Sequence, residues 1–501
     1  MATGVRILLR TACTLACLLC AATAGAQEVL DRYDALLLRW DEAGLRRLAL
    51  ETAPAGTREL ALAAAAFLSG DPRAPELAGN AVGAAGEESR PRAEWLRDTV
   101  AAWHALLGGF HVREASPRVR LLLPSSHRQW GKQAAPHAAG IIEPVLELFS
   151  VSGERPVEVV FVENLEQLSV VSRVPVARLE RSGTVATTAF QRIFLLSPAF
   201  FADGYPWHVV LGHEAVHLAL HRKVPGKVPH FFEEGLASLL EEWGRTGKAK
   251  GLLPLDKALL QLAEEKNLYL DKAVLDAPYW QIEGGLLVRL AFVQARLAAA
   301  LLLQKGEREA LAQLLDAAAA GTPFDDILRS LSGVSPDAFA ARLKARWRSE
   351  ASRENLLTLL YEGGSEWLPE KAQKVADESA SLLTLGDLLW GRGRNAAALA
   401  VYLRLPPELQ VTPDVVWRIG RLLVDLGRIE EARTRLEGPL ALFPLDSRVL
   451  HAAALVHRAA GNGGEARRFE QEAWLVNPFA KETTEAIMTA PASPGEAKWV
   501  K

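Results

Sequence analysis

Residues 206–243 read PWHVVLGHEAVHLALHRKVPGKVPHFFEEGLASLLEEW, and the rest of the chain is organised around this stretch. Apolar residues recur at helical spacing on both sides of a central Pro-Gly pair, which predicts two helices joined by a turn. The first helix carries His213 and His217, and a spacing of four puts both imidazoles on one helix face within reach of one ion. Glu214 lies beside them and can accept a proton instead of binding the metal. The stretch therefore predicts a zinc site with an adjacent general base.

Zinc held by two histidines needs a third protein ligand if one position is left for water. A pattern with Gly at position 220 and His at position 223 is excluded, because the chain has Leu220 and Lys223 there. The second helix offers Glu233 and Glu234, and His221 is a reserve ligand on the first helix. The spacing alone leaves this choice open.

The segment 229–237 resembles the one in which gluzincins, the group of thermolysin-like and aminopeptidase-like zinc peptidases, carry a third ligand directly before a glycine. The wider stretch 119–347 is similar to peptidase-MA-like proteins, which are often exported and joined to tetratricopeptide repeats. The resemblance implies three ligands and a general base, namely His213, His217 and Glu234, with Glu214 as the base. It also implies one Zn²⁺ per chain and hydrolysis of peptide bonds by a zinc-activated water.

Other residues near the hairpin have expected roles. Gly235 should let the two helices of the hairpin approach closely. Tyr279, in the sequence Ala-Pro-Tyr-Trp, is the candidate donor to the oxyanion that develops during hydrolysis. His208 and His230 are expected at the rim of the site or in solvent. No segment like the Gly-Ala-Met-Glu-Asn motif of aminopeptidases precedes the hairpin, which favours endopeptidase action.

Residues 112–200 have the pattern of a small sheet. Short apolar, β-branched runs predict strands at 119–123, 157–162 and 192–196, with a further strand within 184–190 and a helix at 131–149. The strand at 192–196 directly precedes the hairpin. We therefore expect it to be the sheet edge along which an extended peptide lies.

The C-terminal third contains an internal repeat of 34 residues, which is the period of a tetratricopeptide helix pair. Three columns of small residues recur at this spacing: Gly393, Gly427 and Gly461; Ala398, Ala432 and Ala466; and Gly386, Gly420 and Ala454. The first column is expected to form the turn inside each helix pair. The resemblance to tetratricopeptide repeats covers residues 379–480 as three units and implies an α-solenoid that binds a protein partner or substrate.

The expected fold class is α+β, predominantly α, with a thermolysin-like zincin domain of a small sheet plus helices followed by the solenoid. The predicted regions are, in order, a signal peptide (1–26), an N-terminal helical region (27–111), a zincin metallopeptidase-like domain (112–350), a helical connector (351–378), three tetratricopeptide repeats (379–480) and a flexible tail (481–501).

The first 26 residues have the pattern of a secretory signal. Arg6 and Arg10 precede an apolar run, and Ala-Gly-Ala ends at residue 26. All three cysteines lie in this segment, so the mature chain would contain no disulfide. A net charge of −3 over 501 residues gives no field to attract nucleic acid or anionic lipid. We expect an exported protein, periplasmic or extracellular, with no membrane span after cleavage; an uncleaved anchor is the alternative.

The sequence supports two functions. The favoured one is an exported zinc-dependent peptidase, an endopeptidase whose repeats bind a protein partner or substrate. The alternative is a catalytically inactive, zincin-like repeat scaffold of the cell envelope. The intact Glu214 argues against the scaffold, because a purely structural metal site needs no base.

Overall fold

The computed structural model describes residues 27–51, 56–153, 155–304, 306–363 and 367–480. The protein is 69% helical, with a small mixed sheet of five strands. The predicted class, α+β and predominantly α, is therefore confirmed. The predicted signal peptide (1–26) and flexible tail (481–501) lie outside the described residues.

The chain divides into two compact units. The first comprises residues up to 112 together with 188–192, and the second comprises the remainder. The helices of the first unit are α1 (27–38), α2 (Glu42–Leu48), α3 (Thr57–Ser69), α4 (Ala74–Ala84) and α5 (Arg90–Leu107). Phe190 packs among its aromatic side chains, with ring centroids 5.2 Å from Phe67 and 5.6 Å from Trp103. Residues 188–192 join the first unit through this packing.

The sheet contains β1 (His111–Ser116), β2 (Val119–Leu123), β3 (Val157–Val162), β4 (Ala186–Ala189) and β5 (Arg192–Leu196). The strand order is β1-β2-β3-β5-β4, and β2 and β3 are parallel. β2, β3 and β5 have the bounds that the sequence predicts, 119–123, 157–162 and 192–196. The prediction that the strand at 192–196 is the sheet edge was wrong, because β5 is buried along its whole length between β3 and β4. β4 forms the edge instead.

The other elements of the second unit are helices, which lie between and after the strands along the chain. Those preceding the repeats are α6 (Arg128–Leu148), α7 (Leu165–Ser172), α8 (Val176–Ser182), α9 (Trp207–Lys223), α10 (His230–Leu240), α11 (Trp243–Thr246), α12 (Pro254–Lys266), α13 (Lys272–Leu275), α14 (Gly285–Leu302), α15 (Glu307–Ala319), α16 (Phe324–Ser332), α17 (Pro336–Glu350) and α18 (Leu356–Gly363). The predicted hairpin is α9 and α10, and Gly226 has a φ of +62° in the turn between them.

α14 is an apolar core helix. Among the described residues it is the one helix long and apolar enough to cross a membrane, by length and composition. Its most apolar window is 67% buried inside the fold, as in a helix of a protein core. It runs beside α10, where its backbone comes very close to Gly235.

Three helix pairs occupy the region of the 34-residue repeat. They are α19 (Glu370–Gly391) with α20 (Asn395–Tyr402), α22 (Pro413–Asp425) with α23 (Ile429–Leu442), and α24 (Ser447–Ala459) with α25 (Gly463–Val476); the short α21 (Pro407–Gln410) lies between the first two pairs. Gly393, Gly427 and Gly461 have φ values of +70°, +73° and +78°. This left-handed conformation explains a glycine at each turn.

The end of the repeat region packs against the start of α9. The Nδ1 of His208 lies 3.1 Å from the carbonyl oxygen of Leu475, and the Arg245 guanidinium lies 2.9 Å from the Glu472 carboxylate. His208 is fully buried. The expectation that His208 is a rim or solvated residue was therefore wrong, because the last repeat helix covers it.

Candidate metal centre

Three ligand atoms from α9 and α10 converge on one point. The Nε2 atoms of His213 and His217 are 3.2 Å apart, and Oε2 of Glu234 lies 3.3 Å from the first and 3.5 Å from the second. Ligands at about 2.0–2.1 Å from a tetrahedral zinc ion are about 3.3–3.4 Å from one another. The triangle therefore has the dimensions of three zinc ligands, and these residues can hold a metal ion.

The spacing of the sequence left the third ligand open, and the structure brings Glu234 to both histidines. Glu233 is half-buried beside it, and burial is the main cause that raises the pKa of Glu233 to about 7. A carboxyl group that is partly protonated at neutral pH is a weaker cation ligand than an ionised one. His221, the reserve ligand, is not part of the converging group found in the described part of the chain.

Two glycines set the distances between the helices at the site. A Cβ atom on Gly212 would lie 1.9 Å from the carbonyl oxygen of Glu241, so Gly212 permits the close approach of α9 to the end of α10. A Cβ atom on Gly235 would lie 2.4 Å from the carbonyl oxygen of Ala295 in α14. The prediction that Gly235 brings α9 and α10 together was therefore wrong, since it serves the contact between α10 and α14.

A carboxylate behind the ligands orients one of them. Oε2 of Glu241 lies 3.4 Å from Nδ1 of His213, on the side of the ring opposite Nε2. Lys250 Nζ holds the same carboxylate at 2.6 Å. Metal-bound histidines commonly donate their second ring N–H to a carboxylate, which fixes the tautomer and the ring orientation. Sequence reasoning missed Glu241, although it lies seven residues after Glu234, a spacing of two helical turns that puts both on one face.

The charges of the group keep Glu234 ionised. Burial alone would raise the pKa of Glu234, but the charge of His217 and the hydrogen bond from His213 outweigh burial and hold it well below its ordinary value. Burial alone would lower the pKa of His213, but the carboxylates of Glu234 and Glu241 raise it to about 10. Because a metal takes the place of the histidine protons, binding of an ion here should release protons.

A cavity of about 490 Å³ opens beside His213 and is lined by Glu214 and Tyr279. The Tyr279 hydroxyl is buried without a hydrogen-bond partner among the described residues, and its ring packs against His230 and Phe292 at 5.3 and 5.0 Å. Burial raises the pKa of Tyr279, so the phenol stays protonated and can donate a hydrogen bond. The cavity therefore combines a candidate base with a candidate donor.

The structure thus brings the predicted site residues together. His213, His217 and Glu234 form the triangle, and Glu214 and Tyr279 line the cavity that His213 also borders. No family model matches the chain, and no curated protein matches it in sequence. What the site can do is therefore inferred from its geometry and chemistry.

The edge of the sheet also borders the cavity. The residues from Ser182 to Ala186, which lead from α8 into β4, form one of its walls. β4 is the end strand of the sheet, so one of its sides has no neighbouring strand within the described sheet. Such an edge offers backbone donors and acceptors to an extended chain lying next to the candidate metal ligands.

Proposed function

We propose that this chain is an exported zinc-dependent peptidase, with a thermolysin-like zincin domain at residues 112–350 and tetratricopeptide repeats at residues 379–480. The observation that carries the proposal is the triangle of His213, His217 and Glu234 beside a cavity that contains Glu214. Structural zinc sites are usually closed by four protein ligands, whereas catalytic sites have three protein ligands and an open position. Export is inferred from the sequence of residues 1–26.

Zinc, when bound, would supply a Lewis acid that polarises a carbonyl group and acidifies water. The chain's own residues provide the proton transfers and the orientation. Glu214, adjacent to a ligand and on the cavity wall, would accept the proton of the attacking water and deliver it to the leaving amine. The neutral Tyr279 phenol would donate a hydrogen bond to the oxyanion. Glu241 would fix His213 through its Nδ1 atom.

An extended peptide is the substrate that best fits the surroundings of the site. The β4 edge can pair with a peptide backbone in the manner of an added strand, which would hold the scissile bond along the cavity. This placement accounts for the edge strand that borders the cavity. It favours cleavage of a bond that has residues on both sides over removal of a single N-terminal residue, since strand pairing requires residues on both sides of the bond.

The repeats are proposed to bind a protein partner or substrate. A second cavity of about 380 Å³ lies among their helices, lined by Trp390, Trp417 and His451. The same wall carries Arg418 and Arg448 together with three carboxylates that pair with them, those of Asp203, Asp387 and Asp414. Aromatic and arginine side chains in one groove are typical of protein-binding surfaces.

Replacement of Glu214 by Gln tests the proposed function. We expect the variant to retain zinc at the wild-type stoichiometry and to lose at least about 100-fold in hydrolysis of a broad peptide library, because the side chain keeps its shape but cannot accept a proton. Zinc is measured by elemental analysis and cleavage by mass spectrometry. Glu166→Gln, which changes an exposed carboxylate on α7, is the matched control. A zinc-loaded wild type that cleaves no peptide would favour the inactive scaffold instead.

A further inference from the structure

The wall of the cavity formed by α14 carries two arginines. Arg289, Phe292 and Arg296 all line the cavity, at helical spacings of three and four residues. Phe292 also packs edge-on against the ring of His213, with centroids 5.7 Å apart. The arginines therefore lie on the face of α14 that borders the metal-binding residues.

One buried carboxylate serves both guanidinium groups. Oδ1 of Asp256 accepts hydrogen bonds from Arg289 at 2.8 and 3.2 Å, and Oδ2 accepts one from Arg296 at 2.6 Å. Two positive charges against one negative charge leave the cluster with one net positive charge. Lys250, the third cation on the cavity wall, is paired with both Glu241 and Glu242 at 2.6 and 3.3 Å. Glu214 and Glu241 add two carboxylates elsewhere on the cavity wall, so the wall is balanced overall and its local positive charge lies at the arginines.

Both arginines also have unused donors. Asp256 engages Nε and Nη2 of Arg289, so Nη1 has no protein partner among the described residues, and the side chain is 35% exposed. The side chain of Arg296 is only 7% exposed, yet its buried Nε has no hydrogen-bond partner in the described part of the chain. An unsatisfied, buried, charged donor is costly unless a ligand or water completes it.

We propose that this end of the cavity binds a carboxylate of the substrate, either an acidic side chain or the C-terminal carboxylate, through Arg289 with support from Arg296. The inference rests on the proposed peptidase function, since a peptide in the cavity would supply the carboxylate. Carboxylate and guanidinium match in shape and charge, and the pairing would balance the net positive charge of the cluster. The site would then select substrates with an anionic group near the scissile bond.

Three small probes test the carboxylate site on the full-length purified protein. N-acetylglutamate amide carries a side-chain carboxylate, N-acetylglutamine carries an α-carboxylate, and N-acetylglutamine amide carries neither. Binding is measured by ligand-observed NMR titration. We expect one of the charged probes to bind at least about tenfold more tightly than the neutral probe, and the tighter one identifies the source of the carboxylate. Equal binding of all three probes would overturn the inference.

Variants of Arg289 test whether the preference for a charged probe over the neutral probe comes from this arginine cluster. Arg289→Gln should abolish the preference for the charged probe, whereas Arg289→Lys should keep part of it because the charge remains but the fork is lost. Arg353→Gln, which removes a surface arginine paired with Glu265 at 3.0 Å, is the matched control and should bind as the wild type does. A preference that survives Arg289→Gln in a folded variant would show that the carboxylate binds elsewhere, for example at the metal.

Cleavage of a peptide library separates this inference from the proposed function. We expect cleaved peptides to be enriched in Asp or Glu, or in a free C-terminus, at one position near the scissile bond, and Arg289→Gln to remove the enrichment. Cleavage without such enrichment would leave the peptidase function standing and overturn the carboxylate site. If the protein binds carboxylates through Arg289 but cleaves no peptide, the carboxylate site would stand and the proposed peptidase function would be overturned.

Discussion

Replacement of Gly212 by Ala is the most direct test of how the fold builds the metal centre. The new Cβ atom would lie 1.9 Å from the carbonyl oxygen of Glu241, and real Cβ contacts essentially never fall below 3.0 Å. α9 and the end of α10 must therefore separate by at least the difference, 1.1 Å. Neither atom can turn away, because one is fixed to the α9 backbone and the other belongs to the α10 backbone.

A separation of this size would disrupt the ligand geometry. The distance between His213 Nε2 and Glu234 Oε2 is 3.3 Å, so an opening of 1.1 Å along this direction would increase it to as much as about 4.4 Å. Tetrahedral zinc needs about 3.3–3.4 Å between ligands. The contact of Glu241 with His213 would lengthen from 3.4 Å to a distance beyond hydrogen bonding. We expect zinc affinity to fall at least tenfold, about the minimum cost of losing a ligand-orienting contact.

The free energy of unfolding gives a second test, because the expected change is opposite in sign to the usual effect of a Gly to Ala exchange in a helix. An exchange of Gly for Ala inside a helix normally stabilises a protein by about 0.5–1 kcal/mol. Gly212→Ala should instead destabilise it by about 1–3 kcal/mol, the usual cost of overpacking. Gly140→Ala in α6 is the control, because its Cβ would meet nothing within 4 Å and should give the normal gain.

Urea unfolding and competition for zinc with a chelator measure the two effects. The reasoning would be refuted if Gly212→Ala were as stable as the wild type and bound zinc with unchanged affinity. Loss of stability with unchanged zinc affinity would also count against it, since the same helix separation is required to produce both effects.

The remaining predictions concern the carboxylate behind the ligands and the buried histidine. Glu241→Gln should weaken zinc binding about 10–100-fold in chelator competition, and an unchanged affinity would exclude the proposed orienting role. Burial, with the charge of Arg245 second, holds the pKa of His208 well below its ordinary value. The unfolded chain therefore binds a proton there below about pH 6.5 that the folded protein does not, so the contribution of His208 to stability should fall on acidification by up to about 1.4 kcal/mol per pH unit. Unfolding at pH 7.0 and 5.5 should show a smaller loss for His208→Asn than for the wild type, and equal losses would contradict the assignment.

The sheet shows which strands a sequence can reveal. β2, β3 and β5 are short apolar runs that are buried on both faces, and such runs stand out from their surroundings. β1, with the sequence HVREAS, was not predicted, because it alternates between half-buried and exposed residues and has no apolar run. The same burial that makes β5 recognisable in the sequence also argues against an edge position, since an edge strand is seldom buried along its whole length.

The site shows a similar division. His213, Glu214 and His217 follow from a local helical spacing, and the general placement of Glu234 follows from the resemblance of the next helix. Glu241 shares a helix face with Glu234, but its contact with His213 depends on the angle at which α9 meets α10, which no spacing within one helix specifies. The Asp256 cluster is even harder to predict from the sequence, because Arg289 and Asp256 are 33 residues apart and meet only through tertiary packing.

The contact between α25 and α9, the helix that carries two of the candidate metal ligands, means that the repeat region is not a freely attached adaptor. The carbonyl oxygen of Val476 accepts a hydrogen bond from the backbone N–H of Tyr205 at 3.0 Å, and that of Leu475 lies 3.1 Å from Nδ1 of His208. The Asn477 side chain donates to the carbonyl oxygen of Ala202 at 2.9 Å. His208 is fully buried and lies five residues before His213, the first candidate metal ligand. A buried polar group that loses its partner costs more than the hydrogen bond itself contributes, so the start of α9 needs the end of α25 in place. Any partner that shifts α25 would therefore act on the helix that presents the imidazoles, a direct physical link between the two proposed functions of the chain.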